Sequence, residues 1–239
     1  MSIFQDYFNN GKKQIAILID PDKHTIQSVS KLAYQINNSV ADLIFVGGSL
    51  VSNSVTDIIS AIKQETQKPV ILFPGSPHQI AANADAMLML SLVSGRNPQY
   101  LIGDAVDAAM KIKKSGLETI STAYILIDGG KCSSVQYISN TTPIPADKTD
   151  IAVSTALAAV MIGAKAVYLE AGSGALNPVP LKMITAVKDM CNVPLIVGGG
   201  LKSNESIQNT FNAGADIVVM GTAIENNPKL LNDIRGIKF

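Results

Sequence analysis

The sequence predicts an α/β fold, a closed (β/α)8 TIM barrel formed by one domain over residues 1–239. Three observations lead there. The 239 residues are close to the roughly 250 typical of that architecture. Eight short, nearly continuous apolar runs recur along the chain, as parallel strands buried on both faces require. Amphipathic segments separate most of these runs, which argues for repeated βαβ units.

The apolar runs are Gln14–Ile19, Ala41–Val46, Pro69–Phe73, Ala86–Leu92, Thr119–Ile127, Ala164–Leu169, Pro194–Val197 and Asp216–Met220. The helical segments are Ile26–Ile36, Val55–Thr66, Gly103–Ser115, Pro180–Cys191 and Ser203–Ala213. Eight repeats in this length favour closure over an open, doubly wound sheet. Two intervals are irregular. Pro74–Asp85 holds only about a dozen residues, including Pro74, Gly75 and Pro77. That is short for a crossover helix, so the third barrel helix is expected to be modified or missing. Asp128–Asp147 reads as a long polar loop with Gly129, Gly130, Pro143 and Pro145, and loops of that length are functional or mobile. Ile151–Ala164, rich in alanine, reads as a buried helix.

Composition excludes several classes. Hydrophobic residues make up 47% and charged residues 16%, so the chain is not disordered. A formal net charge of zero removes the electrostatic case for nucleic acid. No apolar run reaches the roughly 18 residues of a membrane span, and the N-terminus lacks a basic segment followed by an apolar core. Cys132 and Cys191 lie far apart and read as unpaired thiols. His24 and His78 have no partner at zinc-ligand spacing. A cytoplasmic protein is expected.

Barrel active sites form at the C-terminal strand ends. The first strand ends in Asp20-Pro21-Asp22-Lys23, the second in Gly47-Gly48-Ser49, the third in Pro74-Gly75-Ser76. The sixth ends in Tyr168-Leu169-Glu170-Ala171-Gly172-Ser173-Gly174, the seventh in Gly198-Gly199-Gly200, the eighth in Gly221-Thr222. Glycines there let bare backbone approach an anion, and the following helices point free N–H groups at it. One such loop would read as a tight turn; three converging loops point to a phosphate site. Asp20 and Asp22 are carboxylates that could hold Mg²⁺ beside a polyanion, with Ser49 adding a hydroxyl; Asp20 could equally cap the turn that Pro21 begins. Lys23 could pair with phosphate or lie on a solvated face. Glu170 ends an apolar strand, where burial would raise its pKa and suit it to accept a proton; the alternative is a carboxylate that only ties down its loop. Tyr168, two residues earlier, points the same way. His78 and Arg96 fall in the loops after the third and fourth strands, and Arg96 could contact a diphosphate or simply lie at the surface. The methionine-rich run Ala86–Leu92 suits either a lipid chain or barrel core.

With these motifs assembled, the chain resembles the geranylgeranylglyceryl phosphate synthase family over nearly its whole length. The resemblance rests on Asp20–Lys23, Phe45–Ser49, Phe73–Ser76, Tyr168–Gly174, Gly198–Lys202 and Val219–Thr222. It implies a barrel altered around its third helix and a prenyltransferase in which the 3-hydroxyl of sn-glycerol 1-phosphate displaces diphosphate from a polyprenyl diphosphate. By similarity, Asp20 and Ser49 hold Mg²⁺. Tyr168, Leu169, Glu170, Ala171, Gly172, Ser173 and Gly174, with Gly199, Gly200, Gly221 and Thr222, hold glycerol phosphate. Glu170, beside Tyr168, orients or deprotonates the attacking hydroxyl. The resemblance also implies a homo-oligomer, and the lipid product implies peripheral contact with a membrane. A related bacterial branch using heptaprenyl diphosphate carries Tyr-Leu-Glu-Tyr-Ser-Gly after strand six and a lysine two residues before the metal aspartate. Here that position is Leu18 and the longer motif is present, which points to geranylgeranyl diphosphate as donor. The competing reading is a barrel isomerase or lyase for a phosphorylated metabolite, needing neither Mg²⁺ nor an apolar trough; a non-catalytic phosphate-binding scaffold is the third.

Overall fold

A computed structural model describes residues 2–234. Eight parallel strands close into a barrel in sequence order, β1 pairing with both β2 and β8. They are β1 Gln14–Ile19, β2 Leu43–Val46, β3 Val70–Leu72, β4 Ala86–Leu92, β5 Glu118–Leu126, β6 Ala166–Glu170, β7 Leu195–Gly198 and β8 Ile217–Met220. Helices α1 Ile26–Asn37, α2 Val55–Glu65, α3 Asp104–Ser115, α4 Ser134–Ser139, α5 Thr149–Met161, α6 Leu181–Met190, α7 Asn204–Asn212, α8 Thr222–Asn226 and α9 Leu230–Asp233 connect or follow them.

The period-two geometry of a strand explains why the runs read as apolar throughout. Ala16, Phe45, Ile71, Leu88, Tyr124, Tyr168, Ile196 and Val219 fill the barrel interior. The alternate residues, among them Ile17, Ile44, Leu72, Ile125, Leu169, Val197 and Val218, pack outward in the layer shared with the helices. Each strand is therefore apolar on both faces.

At the N-terminal end, aspartates placed just before β2, β4 and β8 clamp the sheet. Asp42, Asp85 and Asp216 accept the N–H groups of Ile15, Val70 and Leu195 at 2.9, 2.7 and 2.8 Å. A helical turn, Phe4–Phe8, stoppers this end: Phe8 stacks on Phe45, and Phe45 on Phe73. Glu118 ties the turn down by accepting the Ile3 and Phe4 N–H groups and the Ser2 hydroxyl at 2.7, 3.1 and 2.8 Å.

No barrel helix follows β3 among the described residues. A single 3-10 turn, Pro77–Gln79, occupies the interval, as its length and prolines foretold. Two expectations need correction. The Asp128–Asp147 segment contains α4, capped by Ser133, whose hydroxyl accepts the Gln136 N–H. The segment is pinned where Ile127 bridges Ile144 and where Leu176 and Asn177 donate to the Gly129 carbonyl. Helix α5 is not buried all round: Ala152, Ala156 and Ala159 seat it on the barrel, while Met161 and Ile162 are 76% and 85% exposed. Small residues at these spacings let one face approach closely and turn the larger ones outward.

Glu118 is a stability determinant. Burial alone would raise its pKa, but the Ser2 hydroxyl and the two N–H donors hold it below the ordinary value. A folded-state pKa below the unfolded one means the contribution is complete above the carboxylate range and fades as pH falls through it. Glu118→Ala is expected to lower stability by about 1–3 kcal/mol near neutral pH, and by less near pH 3, in urea titrations at the two pH values.

Candidate active site

The C-terminal strand ends bring Asp20, Ser49, Glu170 and the glycines of β7 and β8 to one mouth. Asp20 continues the inward series Ala16, Leu18. Its Oδ1 accepts the Asp22 N–H at 3.1 Å, capping the turn Pro21–Lys23, and its Oδ2 lies 3.8 Å from the Lys23 ammonium. The carboxylate also faces the second loop, since a Cβ on Gly48 would sit 3.4 Å from Oδ1. Asp20 and the Gly48–Ser49 turn are thus neighbours. Burial raises the Asp20 pKa, against the Asp22 N–H and Lys23, and a nearby cation would relieve that cost. One carboxylate and a hydroxyl suit Mg²⁺, which takes most of its remaining ligands from phosphate and water. Among the described residues no three His, Cys, Asp or Glu side chains cluster as a complete cage.

Asp22 has a structural task that its sequence position did not suggest. Its carboxylate accepts the N–H groups of Ser52 and Asn53 at 2.8–3.0 Å and so stitches the first strand-end loop to the second. Arg96 is likewise committed, donating to the Val93 and Gly95 carbonyls at 2.8 Å. His78 is exposed on the 3-10 turn.

The loops after β2 and β3 touch backbone to backbone. A Cβ on Gly47 would overlap the Phe73 carbonyl, and one on Gly75 would overlap the Gly48 carbonyl. Gln79 joins them. Its amide donates to the Gly48 carbonyl at 2.8 Å, and its side-chain oxygen accepts the Gly75 and Gly48 N–H groups at 3.2 and 3.4 Å. Sequence reading passed over Gln79. A glutamine between two loops carries no spacing signal, and only its burial reveals the role.

Glu170 is buried, with Oε1 accepting the Gly172 N–H at 2.7 Å. Burial raises its pKa, opposed by that N–H and the nearby Tyr168 hydroxyl. Its loop-tying reading is met by the Gly172 N–H, and its raised pKa is what a proton acceptor would need. Gly198 and Gly199 make room for it, since a Cβ on Gly199 would sit 2.6 Å from Oε1. The Tyr168 hydroxyl also closes over Gly198 yet falls short of a formed hydrogen bond, leaving a buried hydroxyl unpaired among the described residues. Ser173 and Thr222 meet hydroxyl to hydroxyl at 2.8 Å, joining the sixth and eighth strand-end loops. Gly172, Gly174, Gly199 and Gly200 all adopt positive φ, the conformation a glycine-rich anion cradle uses. The Leu169 side chain packs in the outer layer, and Ala171 is buried with its N–H donating to the Gly198 carbonyl at 3.0 Å, so neither side chain reaches the mouth.

A groove of about 790 Å³, open to solvent, starts at Gly48 and Ser49 and runs along β4 to α3. Met87, Met89, Leu92, Ala105, Ala108 and Ile138 are among its lining residues. The absent third helix explains it, because among the described residues no helix after β3 packs over β4 there and Met89 is left only partly buried. Phe73 and Tyr124 form its inner end and pack against Tyr168, with ring centroids 5.5 and 5.2 Å from that ring. The groove therefore abuts the aromatic cluster on which Glu170 rests.

By its likeness to known proteins, this (β/α)8 barrel is an enzyme of the prenyltransferase class. The chain belongs to the PcrB family, whose family model matches residues 9–238. It is 50% identical to the geranylgeranylglyceryl phosphate synthase of Flavobacterium johnsoniae over 219 residues, covering 91% of this chain and 90% of that one. Identity to the enzyme of the same name from Korarchaeum cryptofilum is 41% over 225 residues, with 94% and 92% covered. The crystal structure of (S)-3-O-geranylgeranylglyceryl phosphate synthase from Thermoplasma acidophilum in complex with sn-glycerol 1-phosphate superposes with a TM-score of 0.93 at 34% identity, covering 99% of this chain and 97% of that one.

The unpaired Tyr168 hydroxyl makes a direct prediction. Tyr168→Phe removes a buried hydroxyl that lies near Glu170 but forms no full hydrogen bond among the described residues, so stability in urea should stay the same or rise by up to about 1 kcal/mol. A loss above that amount would show that the hydroxyl is bonded within the fold.

Proposed function

We propose that this chain, acting as one barrel domain, joins the 3-hydroxyl of sn-glycerol 1-phosphate to geranylgeranyl diphosphate, giving geranylgeranylglyceryl phosphate and diphosphate. The observation that carries the reading is the adjacency of two unlike sites. An apolar groove begins at Ser49, and its inner aromatic end adjoins Tyr168, Glu170 and the glycine loops of β6, β7 and β8. A long prenyl chain suits the first site and a small phosphate ester the second.

In this reading Gly172, Ser173, Gly174, Gly199, Gly200, Gly221 and Thr222 hold the glycerol phosphate. Glu170 accepts the proton of the 3-hydroxyl as that oxygen bonds to the first prenyl carbon and the carbon–diphosphate bond breaks. The unpaired Tyr168 hydroxyl is available to the substrate. Mg²⁺, held by Asp20 with Ser49, would supply neutralising charge for the departing diphosphate. The groove keeps water from the electron-poor prenyl carbon. No described helix is long and apolar enough to cross a membrane. The exposed Ile102, Val106 and Met110 of the α3 region offer apolar contact with a bilayer surface, where a lipid product would leave. The outward residues Ile151, Met161 and Ile162 of the α5 region are what a homo-oligomer would bury. A cytoplasmic location accords with these features.

The test is turnover by purified protein with each glycerol phosphate enantiomer, Mg²⁺ and labelled prenyl diphosphates from C15 to C35. The expected product is the ether formed from the sn-1-phosphate and the C20 donor. Preference for C35 would reassign the donor, and no product with any donor would return the chain to the isomerase or lyase class. Glu170→Gln should fold normally and lose about 100-fold or more in turnover. Because the Glu170 pKa is raised, the acid limb of wild-type kcat/KM should lie above the ordinary glutamate value of about 4.3 and vanish in the variant. Near-wild-type rates in Glu170→Gln would remove this residue from the chemistry.

A further inference from the structure

The turn that presents Asp20 is held by a residue from the far end of the chain. Glu225, on α8, has a side chain only 9% exposed. Its Oε2 accepts from the Lys23 ammonium at 2.7 Å, and its Oε1 accepts the Asp20 N–H at 3.4 Å. Lys23 lies farther from the Asp20 carboxylate, at 3.8 Å. Two carboxylates thus share one lysine, and the better-placed one is not the candidate metal ligand.

A free ammonium beside Asp20 would compete with any cation for that carboxylate. Lys23 is compact, strongly solvated and flexible, and it needs to move little to bond Asp20 directly. Glu225 prevents this by holding the ammonium at close range while its other oxygen fixes the Asp20 backbone. We propose that Glu225 is a positioning residue that sequesters Lys23 and leaves the Asp20 carboxylate open to a divalent cation bound with diphosphate. Glu225 touches neither substrate nor metal in this account; it acts through Lys23 and the Asp20 backbone. The inference rests on the metal role proposed above for Asp20. It also gives α8 two tasks, with Thr222 at the phosphate cradle and Glu225 at the neighbouring strand-end turn.

The test measures metal affinity directly. Mn²⁺ is titrated by water proton relaxation enhancement at a fixed concentration of geranylgeranyl thiolodiphosphate, a donor analogue that does not react. Glu225→Gln keeps an acceptor for the Asp20 N–H but loses the charge that holds Lys23, and should bind Mn²⁺ roughly fivefold more weakly, on the order of one partly exposed ion pair. Lys23→Met/Glu225→Gln should recover to within about twofold of wild type, because the competing ammonium is gone. Lys23→Met alone should bind Mn²⁺ at least as tightly as wild type, and this variant carries the test should Glu225→Gln fold poorly. Unchanged affinity in Glu225→Gln, or a double variant as weak as the single, would reduce Glu225 to a structural contact and overturn the proposal. Weaker binding in Lys23→Met would overturn it too, making Lys23 a diphosphate contact instead. No enhancement with the wild-type protein would remove the metal role of Asp20 and this inference together.

Discussion

The constraint on which the rest of this structure depends is the closeness of backbone to backbone at the barrel mouth. Strand-end loops after β2 and β3 interlock where Gly47 meets the Phe73 carbonyl and Gly75 meets the Gly48 carbonyl. Opposite them, Gly198 and Gly199 lie directly on the Tyr168 and Glu170 side chains. A side chain at any of these positions would push a loop outward or displace the carboxylate. The glycines thus set the distance between the Asp20–Ser49 side and the Glu170 side. Gln79 makes that contact permanent by satisfying N–H and C=O groups that close packing would otherwise leave without water.

A second consequence follows from the place where the barrel is incomplete. A full helix after β3 would bury the outward face of β4, as the helices do for the other strands. Its replacement by a single turn leaves Met89 only partly buried beside a groove, while Met87 lines the groove from the edge of the core. Polar groups and hydrophobicity are therefore segregated by geometry: charged and glycine-rich groups sit at the mouth, while a mainly apolar groove leaves sideways through the gap. The Phe73–Tyr124–Tyr168 cluster is the partition between them, and it is rigid because its members also fill the barrel interior.

Much of this was legible in the sequence because it depends on local pattern. Gln14–Ile19 and Ala86–Leu92 read correctly to the residue, since two-faced burial makes a run uniformly apolar. The missing helix was legible from the twelve-residue interval and its prolines. The adjacency of Tyr168 and Glu170 followed from strand periodicity. What could not be read depends on pairs distant in the chain. Glu225 meets Asp20 across 205 residues, and Gln79 meets Gly48 across 31. The hold of Asp22 on Ser52 and Asn53 was not legible, because an acidic residue at a strand end reads alike whether it meets a cation or backbone N–H groups. Helix α5 misled for another reason. Apolar residues surround it on all sides, so its sequence does not mark which face meets the barrel.

The central claim is that the gap left by the third helix takes the prenyl chain while the glycine-lined mouth takes the phosphate ester. It is tested most directly by photo-crosslinking with a geranylgeranyl diphosphate analogue bearing a diazirine at its far end, followed by peptide mapping of the adduct. The account predicts labelling in β4 and α3, at Met87, Met89, Ala105 or Ala108, suppressed by unlabelled donor and undiminished by glycerol phosphate. Competable labelling confined to α1, α6 or α7 would contradict it, because the chain would then leave the mouth by another route.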